Sequence, residues 1–560
     1  MKSPLRSNFP RGSYLWAVRN AQWRALGIPE EDCEKPKIAI VNSSSGLAAC
    51  FAHLDGIVPV LKEVIRAAGA VPFEIRTSAP SDFVVGAGAR GAYILTTRDL
   101  VTNDIEASVE GPQLDGMICL TSCDKTVPGQ LMAAARLNIP TLMLACGYQP
   151  SGEFEGEHVD IEDVFVGAMH AQMGNLDMDK LIGMSRNAIR GPGVCSGMGT
   201  ANSMHIACEA LGMALPGTTP VAANSPAMFD AARRAGERIV AMVAEDLKPR
   251  DILTPAAFAN AARAILAVGG SVNSIKHLQG VATESGCGAD VYGMFERFGD
   301  EVPVLSAVRP VGEHFIEDFE AAGGARAVMA NLLPLLDGQA LTVTGRTVAE
   351  NLAGVVASNP EVIRPLDRPF ARRPAITMLR GTLSPGFGIV KTGVAERKVR
   401  RFSGPAICFA TSDEAIEALK KGLIKPGHVV VTRGAGVRGG PGMGGGSSKV
   451  VFALDGAGLG EQVAMITDGH LSGLVCKGLV VAEVSPEGAE LGPLALVHDG
   501  DTITIDLDTR RCDLEVSEAE LARRASQWKA PEPQFDRGWL QIYRRNVGPL
   551  TEGAVLVKPR

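Results

Sequence analysis

Three consecutive side chains, Cys123, Asp124 and Lys125, combine a soft thiolate, a hard carboxylate and an amine. They follow the apolar run 117–120, which predicts a buried strand, and they precede Pro128, which predicts the start of a helix. Ligands bind at the carboxyl ends of strands in α/β sheets, so the triplet lies at a predicted site. Thiolates suit iron–sulfur clusters or zinc, whereas carboxylates suit magnesium or manganese. The alternative, judged on these residues alone, is a surface loop with an incidental cysteine.

The chain contains eleven cysteines, and none of them forms a CxxC pair, so a zinc ribbon has little support. Four of them lie within apolar runs and are predicted to be small core side chains. These four are Cys119, Cys146, Cys208 and Cys408. Cys50, Cys123 and Cys195 lie instead in polar or glycine-rich surroundings, which makes them the candidates for chemistry.

Length and composition set broad limits on the protein. A chain of 560 residues predicts roughly two to four domains. The formal net charge of -7 comes with no basic stripe that would suggest nucleic acid. No run of about 18 apolar residues suggests a membrane span. The N-terminal stretch lacks the apolar region of a secretory signal, so we expect a cytoplasmic protein.

Strand-like runs alternate with helical runs in the first part of the chain, which predicts an α/β fold with a parallel sheet. The predicted strands are 37–41, 71–75, 117–120 and 140–144. We expect helices on both faces of this sheet, including an amphipathic helix at 12–28 and a helical region at 226–278.

A Pro/Arg-rich segment at 366–374 predicts the domain boundary. It separates an N-terminal α/β domain, 1–365, from a C-terminal β-rich domain, 366–560. Short β-type runs in the second domain predict a β-barrel-like fold with flanking helices. These runs are 406–409, 428–432, 450–452, 463–467 and 502–507.

Two stretches are rich in glycine. Residues 189–202 precede a helix predicted at 203–211, where glycine allows close approach of a ligand and a helix N-terminus offers N–H donors. Residues 439–448 resemble a phosphate loop but lack the lysine of a Walker A motif. A flexible or lid loop is therefore the preferred interpretation of the second stretch.

Three cysteines in separate loops could hold an iron–sulfur cluster with one iron open to substrate, which would make the cluster a Lewis acid. The segments around them carry more information. In chain order they are VNSSSGLAACFAHL, LTSCDKTVPGQLMAAA, GPGVCSGMGTANSM, GGSVNSIKHL, LRGTLSPGFGIVK, GGPGM, ITDGHLSG and VSPEGAELGPLALVHDGDTITIDL. This series resembles the dihydroxy-acid and sugar-acid (phosphogluconate, aldonate) dehydratase family over nearly the whole chain.

The resemblance implies two metal centres that share one substrate. Cys50, Cys123 and Cys195 match the ligands of an iron–sulfur cluster, with 2Fe-2S favoured and 4Fe-4S also possible. A neighbouring Mg²⁺ is implied to bind the residues that match Asp82, Asp124 and a carbamylated Lys125. Carbamylation converts a lysine amine, which cannot bind a cation while protonated, into an oxygen ligand.

The resemblance also implies the reaction. Ser472 of ITDGHLSG matches the proposed base, which removes the C2 proton of a hydroxy acid; the 3-hydroxyl leaves, and the resulting enol becomes a 2-keto acid. Without the resemblance, a serine in a glycine-flanked turn is a turn residue. Asn202 and Asn273 are candidates to line the pocket. A further set, considered with less support, is His53, His470 and Lys477.

The chain departs from the family pattern, most of all after GGPGM. The family usually has a glutamate two residues on that completes the magnesium shell, whereas this chain has Gly445. Phe83 follows Asp82 where the family is more often glycine-rich, and Ala49 and Phe51 flank Cys50. Either water or another group fills the magnesium position, because this ion readily keeps waters, or the protein has another role.

These departures leave three hypotheses open. The first is a hydro-lyase that acts on a 2,3-dihydroxy or sugar acid. The second is a catalytically degenerate iron–sulfur protein that binds or senses a small hydroxy acid. The third is a zinc-bound structural protein. We expect a small-molecule partner, no nucleic acid or membrane, and a homodimer or homotetramer.

Overall fold

A four-stranded parallel sheet lies at the centre of the N-terminal half. A computed structural model describes residues 5–87, 90–394, 399–530 and 537–556. The strands are β1 (Lys37–Asn42), β2 (Val71–Arg76), β3 (Gly116–Thr121) and β4 (Thr141–Ala145), in the order β2-β1-β3-β4. Every residue of β1, β3 and β4 is buried, as expected for parallel strands covered on both faces. The four predicted strands are confirmed.

Helices and one short hairpin complete this half. The hairpin consists of β5 (Gly152–Phe154) and β6 (Glu157–Val159). The helices are α1 (Tyr14–Ala25), α2 (Val58–Ala67), α3 (Asp82–Ala87), α4 (Tyr93–Glu110), α5 (Thr126–Leu137), α6 (Ile161–Gln172), α7 (Met178–Asn187), α8 (Thr200–Ala210), α9 (Pro226–Glu245), α10 (Pro249–Ile252), α11 (Pro255–Ala267), α12 (Asn273–Ser285), α13 (Val291–Phe298), α14 (Ile316–Ala321), α15 (Gly324–Leu332) and α16 (Val348–Leu352). Helix α5 packs against α4 and α12, and α2 packs against α9.

Some predicted helices differ in extent from those in the structure. Helix α1 is shorter than the predicted 12–28 and buries none of its residues. Helix α5 begins at Thr126, so Pro128 lies within its first turn rather than opening it. The predicted helical region 226–278 is divided among α9, α10, α11 and the first part of α12. Its break at the glycines before Asn273 is confirmed, but two further breaks follow Glu245 and Ile252.

The C-terminal half contains an eight-stranded, nearly closed sheet. Its strands are β7 (Ile376–Leu379), β8 (Phe387–Lys391), β9 (Arg401–Phe409), β10 (Val429–Thr432), β11 (Ala464–Thr467), β12 (Leu479–Ser485), β13 (Thr502–Asp506) and β14 (Arg511–Leu514). The order is β14-β13-β9-β10-β11-β12-β8-β7. A bridge between Arg380 and Arg511 links the two end strands, so the sheet approaches a barrel as predicted. The flanking helices are α17 (Ser412–Lys420), α18 (Gly446–Gly456), α19 (Glu518–Gln527) and α20 (Gly538–Asn546).

The predicted strand at 450–452 is wrong, because these residues lie inside α18. A short apolar run is compatible with either a buried strand or a buried helix, and periodicity alone does not separate them. Helix α18 packs against α6 and α17, and Val450, Val451 and Phe452 are all buried. Tertiary packing on several sides therefore decides the conformation.

The end of the chain returns to the N-terminal core. Tyr543, Val547 and Val555 belong to the same buried cluster as the first sheet. Arg98, which is fully buried on α4, donates hydrogen bonds to the carbonyls of Gly553 at 3.0 Å and Ala554 at 2.7 Å. The boundary at residue 366 stays a prediction. Within the described ranges, no helix has both the length and the apolar character needed to cross a bilayer.

Candidate active site

Both halves of the chain contribute to a cavity of about 350 Å³. The N-terminal half provides Asp82, Asp124 and Cys195 to its lining, and the C-terminal half provides Gly445 and Ser472. Asp124 follows the carboxyl end of β3, which is where an α/β sheet binds its ligands. The cavity thus brings together residues that are up to several hundred positions apart in the chain.

The three candidate cysteines come from three different loops and are free thiols. Cys50 follows β1, Cys123 follows β3, and Cys195 precedes α8. The backbone N–H of Gly193 donates to the carbonyl of Ala49 at 3.1 Å, which holds the Cys195 loop beside the Cys50 turn. A hydrogen bond with Cys50 and burial raise the pKa of Cys123, and burial raises that of Cys195. Protonated thiols at these positions would release their protons on binding a metal.

The three cysteines are less compact than another group of possible metal ligands in the protein. Among the described residues, ligand atoms of three such side chains all lie within 4.8 Å of one another only at His158, Asp160 and Asp163. The guanidinium of Arg309 already donates to Asp163 there, at 3.0 Å. The sulfurs of Cys50, Cys123 and Cys195 do not all lie within this distance of one another, although Cys50 and Cys123 are close enough to form a hydrogen bond.

Asp82, Asp124 and Lys125 form a group of charges in which Lys125 is buried and the two aspartates are half-buried. Nζ of Lys125, whose side chain has no exposed surface, lies 2.7 Å from Oδ2 of Asp82. Oδ1 of Asp82 is buried and has no hydrogen-bond partner. Burial and the neighbouring Asp82 raise the pKa of Asp124 to about 7, with smaller contributions from other contacts. The pKa of Lys125 is raised: burial lowers it, and the charges of Asp82 and Asp124 outweigh that effect.

This arrangement fits the metal ligands implied by the resemblance. An unpartnered buried carboxylate oxygen costs free energy unless a cation or a donor reaches it. Asp82 and Asp124 are hard oxygen donors of the type that magnesium prefers, and they adjoin the cysteine group through Cys123. As it stands, Lys125 is a paired ammonium group, so it becomes an oxygen ligand only after carbamylation.

Ser472 lies in the turn after β11. Its backbone N–H donates to Oγ of Ser448 at 2.8 Å, and its own Oγ accepts from the N–H of Leu474 at 3.4 Å. These contacts orient the hydroxyl group on the lining of the cavity that also contains Asp82 and Asp124. The contact from Leu474 would favour an oxygen that carries negative charge.

Comparison with known proteins assigns the family. The model for the dihydroxy-acid/6-phosphogluconate dehydratase N-terminal region matches residues 35–351, and the model for the C-terminal region of the same proteins matches residues 361–554. The chain belongs to this family. It is therefore an enzyme of the hydro-lyase type.

Similar curated proteins cover the whole chain. A dihydroxy-acid dehydratase from Caldicellulosiruptor bescii is 39% identical over 554 residues, which is 99% of this chain and 100% of that protein. The protein of the same description from Caldicellulosiruptor saccharolyticus is 40% identical over 556 residues, with the same coverage. One from Moorella thermoacetica is 38% identical over 554 residues, again covering 99% of this chain and 100% of its own length.

In this dehydratase, Gly445 lines the cavity at the position where a family glutamate is expected. Its φ of +77° is in the left-handed region that favours glycine, and a Cβ there would meet nothing within 4 Å. Lys449, one helical turn later, also lines the cavity. Its ammonium group has no ion-pair partner among the described residues.

Two of the secondary candidates line the cavity, as predicted. Asn202 donates to the carbonyls of Cys195 and Gly197, at 2.9 Å each, and so holds the cysteine loop. Asn273 donates to Oγ1 of Thr200 at 3.0 Å. The amide oxygens of both asparagines are buried without a partner, so both are available to a ligand.

The other three secondary candidates do not line it. Nε2 of His53 lies 2.6 Å from the carbonyl of Cys146 and links the turns after β1 and β4. His470 lies beside Glu483, with 2.8 Å between Nε2 and Oε2. Lys477 is exposed and pairs with Asp455 at 2.8 Å.

One wall of the cavity is formed by residues that were not predicted to be near a site. Helix α6 contributes five apolar residues to the lining, at Ile161, Val164, Phe165, Ala168 and Met169. Their spacing of i, i+3, i+4, i+7 and i+8 marks one face of a helix, and this signal is present in the sequence. A stripe of this kind ordinarily predicts a core-facing helix, so its contact with a cavity could not be anticipated.

Proposed function

We propose that this dehydratase removes water from a 2,3-dihydroxy or sugar carboxylic acid to give the 2-keto-3-deoxy acid, with the help of an iron–sulfur cluster and Mg²⁺. One observation carries the proposal: one cavity contains the Cys195 thiol, the unpartnered Asp82 carboxylate and the Ser472 hydroxyl. A binding protein needs no candidate base beside its metal ligands.

The cluster would be held by Cys50, Cys123 and Cys195. Magnesium would be held by Asp82, Asp124 and a carbamylated Lys125. When bound, the two groups supply Lewis acidity toward the carboxylate and hydroxyl oxygens of the substrate. Because Cys123 and Asp124 are adjacent in the chain, the two groups would lie side by side.

The residues of the chain account for the movement of protons. Oγ of Ser472, as the alkoxide, takes the proton from C2 as the C2–H bond breaks. The C3–O bond breaks, and Ser472 passes the same proton to the departing 3-hydroxyl, which leaves as water and regenerates the alkoxide. Tautomerisation of the remaining enol gives the 2-keto acid. A free serine is a very weak acid, so its surroundings must favour the alkoxide. The N–H of Leu474, which already donates to this oxygen, supports that role.

A metal and product assay tests the proposal. We expect protein purified without oxygen to show visible absorbance, iron, sulfide and magnesium, and to form 2-keto acid from a dihydroxy acid. Cys195→Ser should lose iron and activity. Cys146→Ser is the matched control, because its hydroxyl can keep the contact that Cys146 Sγ makes with the Leu144 carbonyl at 3.4 Å. A colourless zinc protein would contradict the cluster.

A second candidate function is a protein that keeps the cluster but only binds or senses a small hydroxy acid. The observation that favours it is Gly445, which removes a carboxylate from the cavity wall. The two functions separate in one assay: binding of an acid to cluster-loaded protein, with no 2-keto acid from any acid tested, supports the binding protein.

We also propose that the protein is a cytoplasmic homodimer or homotetramer. The free thiols of the three candidate cysteines are suited to a reducing compartment. Tyr14, Leu15 and Val18 expose at least half of their surface on α1, which is a face that a second copy could cover. Sedimentation of the purified protein measures the state directly.

A further inference from the structure

The five apolar residues of α6 that line the cavity, 161, 164, 165, 168 and 169, are called the α6 stripe, and they indicate the kind of substrate that the cavity accepts. Large apolar side chains normally face the core, yet Ile161, Val164 and Phe165 are only half-buried and line the cavity. Contact between apolar surface and water is unfavourable. An apolar group of a ligand that covers these side chains would remove them from water and so bind favourably.

The stripe is rigidly held. Asp160 caps α6 by accepting from the N–H groups of Glu162 at 2.7 Å and Asp163 at 3.2 Å. The ring of Phe165 packs edge-on against Phe83, with 5.8 Å between ring centroids, and against Phe452 at 5.2 Å. The wall is therefore preformed, and a ligand does not have to order it.

The stripe is also long. From Ile161 to Met169 a helix advances about 12 Å, which exceeds the reach of a methyl or ethyl substituent. The cavity of about 350 Å³ lies within the range of roughly 300 to 1,000 Å³ that encloses sizeable ligands. Part of this volume adjoins the metal ligands, so the length of the apolar wall is the stronger observation.

Polar lining is concentrated elsewhere. The polar lining residues come from other elements, among them Asp82, Asp124, Asn202, Asn273, Ser472 and, on α18, Lys449. The α6 stripe has no side-chain donor or acceptor. A sugar acid lying along it would lose hydrogen bonds from its hydroxyl groups to water and gain none in return.

We propose that the substrate carries an extended apolar substituent, alkyl or aryl, on C3, which lies along the α6 stripe; the inference rests on the proposed dehydration. The carboxylate and the two hydroxyls then lie among the polar lining residues. Val164 and Ala168 are specificity-determining residues, because they lie in the middle of the stripe.

Turnover by the cofactor-loaded enzyme gives the first test. The probes are 2,3-dihydroxy acids with C3 alkyl groups of increasing length, a phenyl analogue and an aldonate. We expect kcat/KM to rise about fourfold per added methylene until the wall is covered, and the aldonate to be at least ~100-fold poorer than the best alkyl acid. A profile that is flat, falls with length or favours the aldonate overturns the inference.

Binding gives a second test that does not depend on turnover. The probes are 2-hydroxy acids without a 3-hydroxyl, measured by calorimetry on the same loaded protein. We expect Kd to fall about fourfold per methylene; an unchanged Kd overturns the inference. Tail-dependent binding without product from any dihydroxy acid would overturn the proposed dehydration and leave the apolar subsite in place.

Variants of α6 assign the effect to the stripe. Val164→Thr keeps the shape of the side chain and adds a hydroxyl. We expect it to weaken binding of the longest acid by roughly tenfold, with little effect on binding of the shortest. Ala168→Phe should exclude the longest acid alone. Val166→Thr is the matched control, since Val166 is on the same helix and does not line the cavity. Equal effects of Val164→Thr and Val166→Thr would contradict the assignment.

Discussion

Lys125 and Asp82 form an ion pair in which Nζ lies 2.7 Å from Oδ2, while Oδ1 of the same carboxylate has no partner. The lysine therefore satisfies one half of the carboxylate and leaves the other half for a cation. The pairing gives Lys125 two separable roles, as a structural cation in the metal-free protein and as a carbamate ligand in the proposed enzyme.

Lys125→Met tests the structural role. The variant leaves the half-buried carboxylates of Asp82 and Asp124 without their cation, so we expect the free energy of unfolding of the metal-free protein to fall by about 2 kcal/mol. Lys125→Arg keeps the charge and cannot form the carbamate. We expect it to lose activity while it retains more stability than Lys125→Met, as measured by urea unfolding; an active Lys125→Arg would contradict the carbamate.

Gly445→Glu tests the altered magnesium shell. The variant adds a carboxylate to the cavity wall, where a Cβ meets nothing within 4 Å. We expect magnesium affinity to rise roughly tenfold, while the positive φ lowers stability by about 1 kcal/mol. Gly445→Gln carries the same backbone strain without the charge and should not gain affinity. Equal magnesium affinities of the two variants would show that position 445 is too far from the ion.

Ser472→Ala tests the base. We expect kcat to fall about 10³-fold with unchanged iron and magnesium content, because the hydroxyl acts on the C2 proton and holds no metal in the proposal. Ser448→Ala removes only the acceptor of the Ser472 N–H, so its loss of kcat should be much smaller. Solvent-deuterium exchange at C2 of the substrate provides an independent readout, which should disappear in Ser472→Ala.

Glu483 is the centre of a buried charge network that predicts a pH dependence. Lys276 Nζ lies 3.0 Å and His470 Nε2 2.8 Å from its Oε2, and Tyr292 donates to its Oε1 at 2.6 Å. Burial by itself raises the pKa of Glu483, but His470 and Lys276 outweigh it and lower the pKa from 4.5 to about 2.

A lowered carboxyl pKa means that the ionised form stabilises the fold above pH 4.5 and that this stability is lost as the pH falls toward 2. We expect the free energy of unfolding of Glu483→Gln at pH 7 to be about 3 kcal/mol lower than that of the wild type. The difference should shrink steadily between pH 4.5 and 2 in denaturant titrations. A difference that is constant with pH would mean that the charge of Glu483 contributes nothing.

Much of the fold could be predicted from local patterns. The strands β1 to β4 are continuous apolar runs bounded by turns, and a strand of that kind depends little on which neighbours cover it. The same holds for β10 and β11, whereas β13 alternates buried isoleucines with half-buried polar residues. Residues 450–452 show the limit, because their apolar run suits a strand or a helix, and only packing against α6 and α17 selects the helix.

The sequence by itself determined the chemical inventory: three cysteines in polar loops, the Cys123-Asp124-Lys125 triplet and the serine of ITDGHLSG. Only the tertiary structure decided how these side chains are arranged relative to one another. The pairing of Asp82 with Lys125, the unpartnered Oδ1, and the apolar α6 wall all depend on contacts between residues far apart in the chain. Periodicity reports which face of an element is apolar, but whether that face meets a core or a cavity is set by the elements that pack around it.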